Sequence, residues 1–209
     1  MALIMNVYIH DIILSLVLFS IIVAALAFVE KKGKVKWVNR KVIHLSSLPA
    51  ALSYYYLFQE PYIFSLMCFI LFALVLYSKL KKNRLSSIQL ENNNGEVYYC
   101  LSWGIISLLF WNYRLLALFI MIAMALGDGL TGLTRYYVSK NPKKHKGFIG
   151  SVVMFLVCFL AFSVVSKNIL LSLVLALVAT IAEWQPFIDD NLAIPLITGT
   201  LGFIILTLI

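Results

Sequence analysis

Eight apolar runs fill the chain, at roughly 8–29, 42–58, 61–80, 96–111, 114–137, 148–166, 168–183 and 191–209. A stretch of about 20 apolar residues crosses the roughly 30 Å hydrocarbon core of a bilayer. Inside lipid every backbone N–H and C=O must find a partner within the protein, which helices do on their own. Runs of this length and number therefore predict an all-α, polytopic membrane bundle of about seven to eight transmembrane helices. Composition agrees: 62% of the 209 residues are hydrophobic and 12% charged, against about half and a quarter in soluble domains. At this length the expectation is a single transmembrane domain, 1–209. The first run has no Lys or Arg before it and is long enough to span, so it reads as the first membrane helix rather than a signal peptide. Cys68, Cys100 and Cys158 stand alone in apolar runs without metal-ligand spacing, and no period of 20 to 50 residues repeats.

A net charge of +8 in a soluble protein suggests nucleic acid; in a membrane protein the question is where the charge sits, and no nucleic-acid partner is expected. The basic residues concentrate in the links 30–41, 79–96 and 136–147, with Arg135 ending the fifth run. Of the 17 basic residues, only Arg114 and Lys167 fall elsewhere. The positive-inside rule then puts these links in the cytoplasm and both termini outside. Six of the nine acids (Glu91, Glu96, Asp128, Glu183, Asp189, Asp190) belong to the same face. Transporters more naturally place ionisable groups near the bilayer midplane, in paired broken helices. A one-sided polar rim looks more like an enzyme that meets a soluble substrate on one side and membrane lipids on the other. The lack of a soluble extension or targeting peptide favours a prokaryotic cell membrane.

Four groups of residues on that face can carry chemistry. Arg40, His44 and Ser47 fall at i, i+4 and i+7 and share a helical face. They are either a snorkelling Arg with a satisfied bundle His, or a stripe that touches phosphate and orients a hydroxyl. Glu96 follows the turn-forming Asn92-Asn93-Asn94-Gly95 and is either a helix-start acid favoured by the dipole, or a metal ligand or general base.

Asp128 is the most informative residue. If the fifth helix runs unbroken from Arg114 to Arg135, Asp128 lies about 10 Å inside its cytoplasmic end. A bare carboxylate there costs roughly 2.5 to 3.5 kcal/mol, so it needs a cation or a partner. Asp128, Thr131 or Gly132, and Arg135 share a face, which allows an internal Asp–Arg pair. The favoured reading is a Mg²⁺ ligand, with Gly127, Gly129 and Gly132 admitting a ligand close to the backbone. The basic loop Lys140-Asn-Pro-Lys143-Lys144-His-Lys146 leads into Gly147, Gly150 and Ser151. Lysines before a glycine-rich helix start suit either anionic headgroups or a triphosphate cradle, and the spacing is not a Walker A motif. In the last polar link, Asp190 or Asn191 can cap the final helix. The adjacent acids Asp189 and Asp190 repel each other, however, and a divalent cation shared with Asp128 relieves that.

In order along the chain, Arg40-Lys41-x-x-His44, Gly95-Glu96-x-Tyr98-Tyr99, Gly127-Asp128-Gly129-x-x-Gly132, Lys146-x-x-x-Gly150-Ser151-x-x-Met154-Phe155, and Glu183 followed by Asp189-Asp190-Asn191-Leu192-x-x-Pro195 cover most of the sequence from residue 40 on. Together they resemble the membrane family of CTP-dependent polyprenol kinases, dolichol kinase and phytol kinase, and more distantly the CDP-diacylglycerol synthases. The resemblance implies transfer of the γ-phosphate of CTP to the hydroxyl of an isoprenoid alcohol with a divalent cation such as Mg²⁺. It implies that Asp128 with Glu183, Asp189 and Asp190 holds metal, and that Lys146, Gly150, Ser151 and Asn191 hold nucleotide, with Arg40, Thr131, Gly132 and Arg135 beside them. Gly147 stands where that family has Ser or Thr, and a second register runs through Lys143 and Gly147. Ile149 stands where the cytidylyltransferases carry an acid. The enzymatic rival is nonetheless a CDP-lipid cytidylyltransferase, and the non-enzymatic one a lipid transporter.

Overall fold

A computed structural model describes residues 2–33, 35–81, 85, 87–90, 93–139 and 147–208. Lys140, Lys143, Lys144 and Lys146 of the expected phosphate cradle lie outside the described residues. The helices are α1 (Ala2–Lys32), α2 (Lys36–Ser46), α3 (Leu48–Tyr56), α4 (Pro61–Leu80), α5 (Gly95–Leu109), α6 (Arg114–Ile122), α7 (Asp128–Ser139), α8 (Phe148–Ser166), α9 (Ile169–Trp184) and α10 (Asp190–Leu208), with no strand among the described residues. Five stretches are long and apolar enough to cross a membrane: Met5–Lys32, Pro61–Leu80, Trp111–Val138, Phe148–Ser166 and Asp190–Leu208. That is the pattern of a multi-pass membrane protein.

The expected second span, 42–58, is two helices rather than one. Pro49 lies in the first turn of α3, where its missing N–H is harmless, but the same ring cannot continue α2. The helix is therefore interrupted at Ser47, and α2 starts earlier than its apolar run, at Lys36, so that most of the first basic link is helical.

The centre of the bundle is a single helical column, α6 to α7, joined by a π-helical turn at Ala123–Gly127. Every side chain from Leu116 to Ala125 is buried. The α2–α3 pair, α5, α8 and α10 pack around this column, α9 lies behind α8 and α10, and α1 and α4 close the side next to α2 and α5. Outer helices turn large apolar side chains outward, among them Leu16, Leu66, Leu74, Leu160, Val164 and Leu170. A water-soluble bundle would bury that surface; lipid solvates it.

Polar anchors mark the two ends. At one end, Glu30 accepts hydrogen bonds from Ser87 N–H and Oγ, Asn39 donates to Ser87 O, and Asn93 donates to Asp189, so three polar links meet. At the other, Asp11 accepts the backbone N–H groups of Gln59 and Glu60. Arg114 donates to Tyr54 O, left open in the last turn of α3, and to Phe58 O just beyond it. Along α1, Asp11 and Glu30 are separated by about 28 Å at 1.5 Å per residue, close to the thickness of a hydrocarbon core.

Pro195 sits inside α10 and has no N–H for the carbonyl of Asn191. Ser102 Oγ on α5 donates to that carbonyl at 2.7 Å, replacing the lost bond and tying the two helices together. Ser102→Ala is expected to destabilise the protein by about 1–3 kcal/mol, since it leaves a buried carbonyl without a donor. In a Pro195→Ala background, where the helix supplies its own N–H, the same change should cost less. A thermal-unfolding double-mutant cycle in detergent measures the difference, and equal penalties in both backgrounds would refute the substitution of one donor for another.

Candidate functional site

The residues singled out on the polar face form three contiguous clusters at that end of the bundle. The first lies where α2 crosses α7. Lys41 Nζ donates to both oxygens of Asp128, each at 2.7 Å. His44 Nδ1 lies 3.0 Å from Asp128 Oδ2 and 3.3 Å from Met124 O. Both neighbours are acceptors only, so this network assigns the ring proton to Nδ1. Asp128, Lys41 and His44 are all buried.

Local structure explains the meeting. Asp128 N–H bonds Ala123 O, five residues back, which widens the helix by one residue just before the carboxylate. Gly132, one turn further, has no side chain, and Lys41 lies across it: a Cβ there would stand 2.2 Å from Lys41 Cε. The glycine was expected to admit a ligand; the protein's own lysine fills the space. Lys41 also lies 5.2 Å from the centre of the Trp37 ring, whose Nε1 donates to Gly132 O. The His44 ring packs on Tyr99, with centroids 4.1 Å apart, and the Tyr99 hydroxyl bonds Ser47 Oγ.

In the second cluster, Glu96 Oε1 accepts from Lys79 Nζ at 3.0 Å, and Arg40 Nη2 lies 3.9 Å from Glu96 Oε2. Gly95 lets the Arg40 guanidinium lie against the α5 backbone, where a Cβ would come within 2.2 Å of Nη2. Asp189 caps α10: Oδ1 accepts from the N–H and side-chain amide of Asn191, and Oδ2 from Asn93 Nδ2 at 3.3 Å. The cap thus falls to Asp189, where Asp190 or Asn191 was expected.

The third cluster joins α7, α8 and α9. Arg135 makes a two-point pair with Glu183, at 2.5 and 3.0 Å, with Glu183 fully buried. The guanidinium lies over Gly150, and Thr131 Oγ1 donates to Gly150 O at 3.3 Å. Among the described residues, nothing lies within 4 Å of where a Gly147 Cβ would stand, and Ser151 Oγ is buried without a hydrogen-bond partner.

These contacts divide the expected site. Asp128 and Arg135, expected on one face, diverge: the acid pairs with Lys41 on α2, the arginine with Glu183 on α9. Lys41 therefore occupies the place expected for Mg²⁺ at Asp128. Among the described residues, no three His, Cys, Asp or Glu side chains gather as a metal site. Asp128 and the Asp189–Asp190 pair are not brought together: Asp128 engages Lys41 and His44, while Asp189 engages Asn93 and Asn191. Sequence reasoning gave no role to Lys41, Lys79 or Tyr99. The signal for Lys41 was its place three residues before His44, which puts both on the face toward Asp128.

Beside the first two clusters runs a narrow apolar groove. Its walls come from α1 (Leu18, Ile22, Leu26), α4 and α5 and are almost wholly apolar, and Arg40, His44, Ser47, Glu96 and Tyr99 border it at the polar clusters. No protein-family model, curated protein or solved structure matches the chain.

Removing one member of the Lys41–Asp128–His44 cluster strands buried charge. Asp128→Asn is expected to cost about 3–5 kcal/mol of stability, whereas Lys41→Met combined with Asp128→Leu should recover much of that loss. Thermal unfolding of both variants beside the unmodified protein decides it; a double variant no more stable than Asp128→Asn would show that the two side chains do not act as a pair.

Proposed function

We propose that the protein is a membrane lipid kinase that transfers the γ-phosphate of CTP to the hydroxyl of an isoprenoid alcohol. The observation that supports this most directly is the groove. An almost wholly apolar slot bordered by the side chains of Arg40, His44 and Glu96, at the end where the polar links gather, suits a lipid substrate that must meet a soluble one. The ordered motifs point the same way, and they alone favour CTP among nucleotides.

In this reading the polar end faces the cytoplasm, and the chain crosses the membrane seven to eight times. The five long helices are joined by α9, by α5 and by the bent α2–α3 pair. Basic residues weight the polar links, as cytoplasmic links require. A cysteine placed at Ser87 should react with an impermeant maleimide only from the cytoplasmic side, and one at Asn112 only from outside. The reverse pattern would invert the topology.

Phosphoryl transfer depends on positioning and charge neutralisation more than on covalent chemistry. Lys41, oriented by Asp128, and Arg40 supply fixed positive charge beside the groove. His44 is oriented by Asp128 through Nδ1. Mg²⁺ takes hard oxygen ligands, usually one or two carboxylates plus the substrate's phosphates, and when bound it neutralises the developing charge. Asp189 fits that part, with Asp190 beside it, because neutral amides rather than cations contact its oxygens. Asp128 fits it poorly, because Lys41 already bridges both of its oxygens.

Purified protein given CTP, Mg²⁺ and geranylgeraniol should release CDP and prenyl monophosphate in equal amounts. The Lys41→Met, Asp128→Leu protein should lose about a hundredfold or more of that rate. Pyrophosphate with a CDP-lipid formed from a lipid phosphate would instead favour a cytidylyltransferase, and no consumption of CTP with any lipid would overturn the enzyme reading.

A further inference from the structure

Three buried polar atoms on residues lining the groove lack hydrogen-bond partners among the described residues: Arg40 Nη1, Glu96 Oε2 and, deeper along α5, Trp103 Nε1. Arg40 and Glu96 are the two that stand against each other. Their side chains are only 7% exposed, and buried groups of this kind are normally satisfied. The pair is also complementary, since one atom is a donor and the other an acceptor. Between the two side chains, Nη2 and Oε2 stand 3.9 Å apart, too far for a direct hydrogen bond. The two groups therefore face each other without bonding directly, which leaves Nη1 as a donor and Oε2 as an acceptor for a third group. An alcohol is the simplest group that accepts from an arginine and donates to a carboxylate through one atom. A hydrocarbon does neither, and a lipid phosphate would meet the Glu96 carboxylate with like charge.

We infer that Arg40 and Glu96 form the acceptor-hydroxyl site and that the groove holds the single apolar chain attached to that hydroxyl. This rests on the kinase reading for its chemistry and not for its binding. Lys79, bonded to the other oxygen of Glu96, keeps the carboxylate in place with Oε2 turned toward Arg40. In turnover the alcohol oxygen forms a bond to the γ-phosphorus, the bond from that phosphorus to the β-bridging oxygen breaks, CDP leaves, and the hydroxyl proton passes to Glu96 Oε2. His44 then orients and packs Tyr99 and Ser47 beside this site, and the proton-accepting role goes to Glu96.

Equilibrium binding on the full chain in nanodiscs, without nucleotide, tests the site. The probes are radiolabelled geranylgeraniol and the hydrocarbon of the same skeleton that lacks the hydroxyl. The alcohol should bind at least tenfold more tightly than the hydrocarbon, the range of a hydrogen bond to a charged group. Glu96→Gln should erase most of that preference. Ile22→Trp, which fills the groove from α1, should abolish binding of both. A diazirine-bearing C20 alcohol should crosslink to peptides of α1, α4 and α5 in the unmodified protein, which keeps the test decisive if Glu96→Gln does not fold. Equal affinity for alcohol and hydrocarbon, full affinity in Ile22→Trp, or crosslinks confined to α8 and α9 would overturn the proposal. Hydroxyl-dependent binding without CTP turnover would uphold this site and remove the kinase reading. CDP formation from the alcohol with binding indifferent to both variants would do the reverse.

Discussion

The buried contact between Asp128 and Lys41 is the constraint around which the polar end of the bundle is arranged. A carboxylate on a helix that crosses lipid has to be neutralised, and here a lysine from a short neighbouring helix does it with both oxygens engaged. Several features follow from that requirement. Gly132 is small so that the lysine can lie across the column, and the π turn precedes the aspartate. The α2 helix must run against α7, which brings His44 and Tyr99 to the same place. Apolar packing alone would leave α2 free to rotate or slide. The ion pair gives it one register.

The neighbouring clusters repeat the device with different helices. Glu96 joins α5 to α4 through Lys79, and Glu183 joins α9 to α7 through Arg135. Each pair crosses between helices, and none lies along one helix. Buried pairs of this sort add little net stability over well-packed apolar residues, but they are costly to break singly, so they fix arrangement more than they strengthen it. The opposite end directs its charged side chains at the backbone instead, with Arg114 and Asp11 satisfying carbonyls and N–H groups near helix ends.

Much of this arrangement could be read from the residues in order. Apolar runs gave the helical class, and Asp128 announced itself because a charge at that depth demands a partner. The choice of partner was not legible. Lys41, Arg135 and a metal ion all satisfy the same electrostatic demand, and only the break at Ser47 and the packing of α2 on α7 decide for Lys41. That break is set by Pro49, whose effect on a neighbouring apolar run is easy to see afterwards and hard to weigh beforehand. The glycines were misread for a related reason: a missing side chain signals close approach without saying whether a ligand or the protein's own chain approaches. Ser102 carried no signal, because its value depends on a carbonyl freed by Pro195 on a helix far along the sequence.

The separation of the charged partners along the chain also imposes a timetable on synthesis. Lys79 and Glu96 are 17 residues apart, Arg135 and Glu183 are 48 apart, and Lys41 and Asp128 are 87 apart. The first pair can form as soon as α5 emerges. Lys41, by contrast, is made long before its counter-charge exists, and it lies on a short helix with no uninterrupted apolar stretch to hold it in lipid. Until α7 arrives, α2 belongs at the water boundary with its lysine and arginine among headgroups. Its final descent into the bundle therefore waits for the helix that carries Asp128, after Lys79 has met Glu96 and before Glu183 completes the third pair.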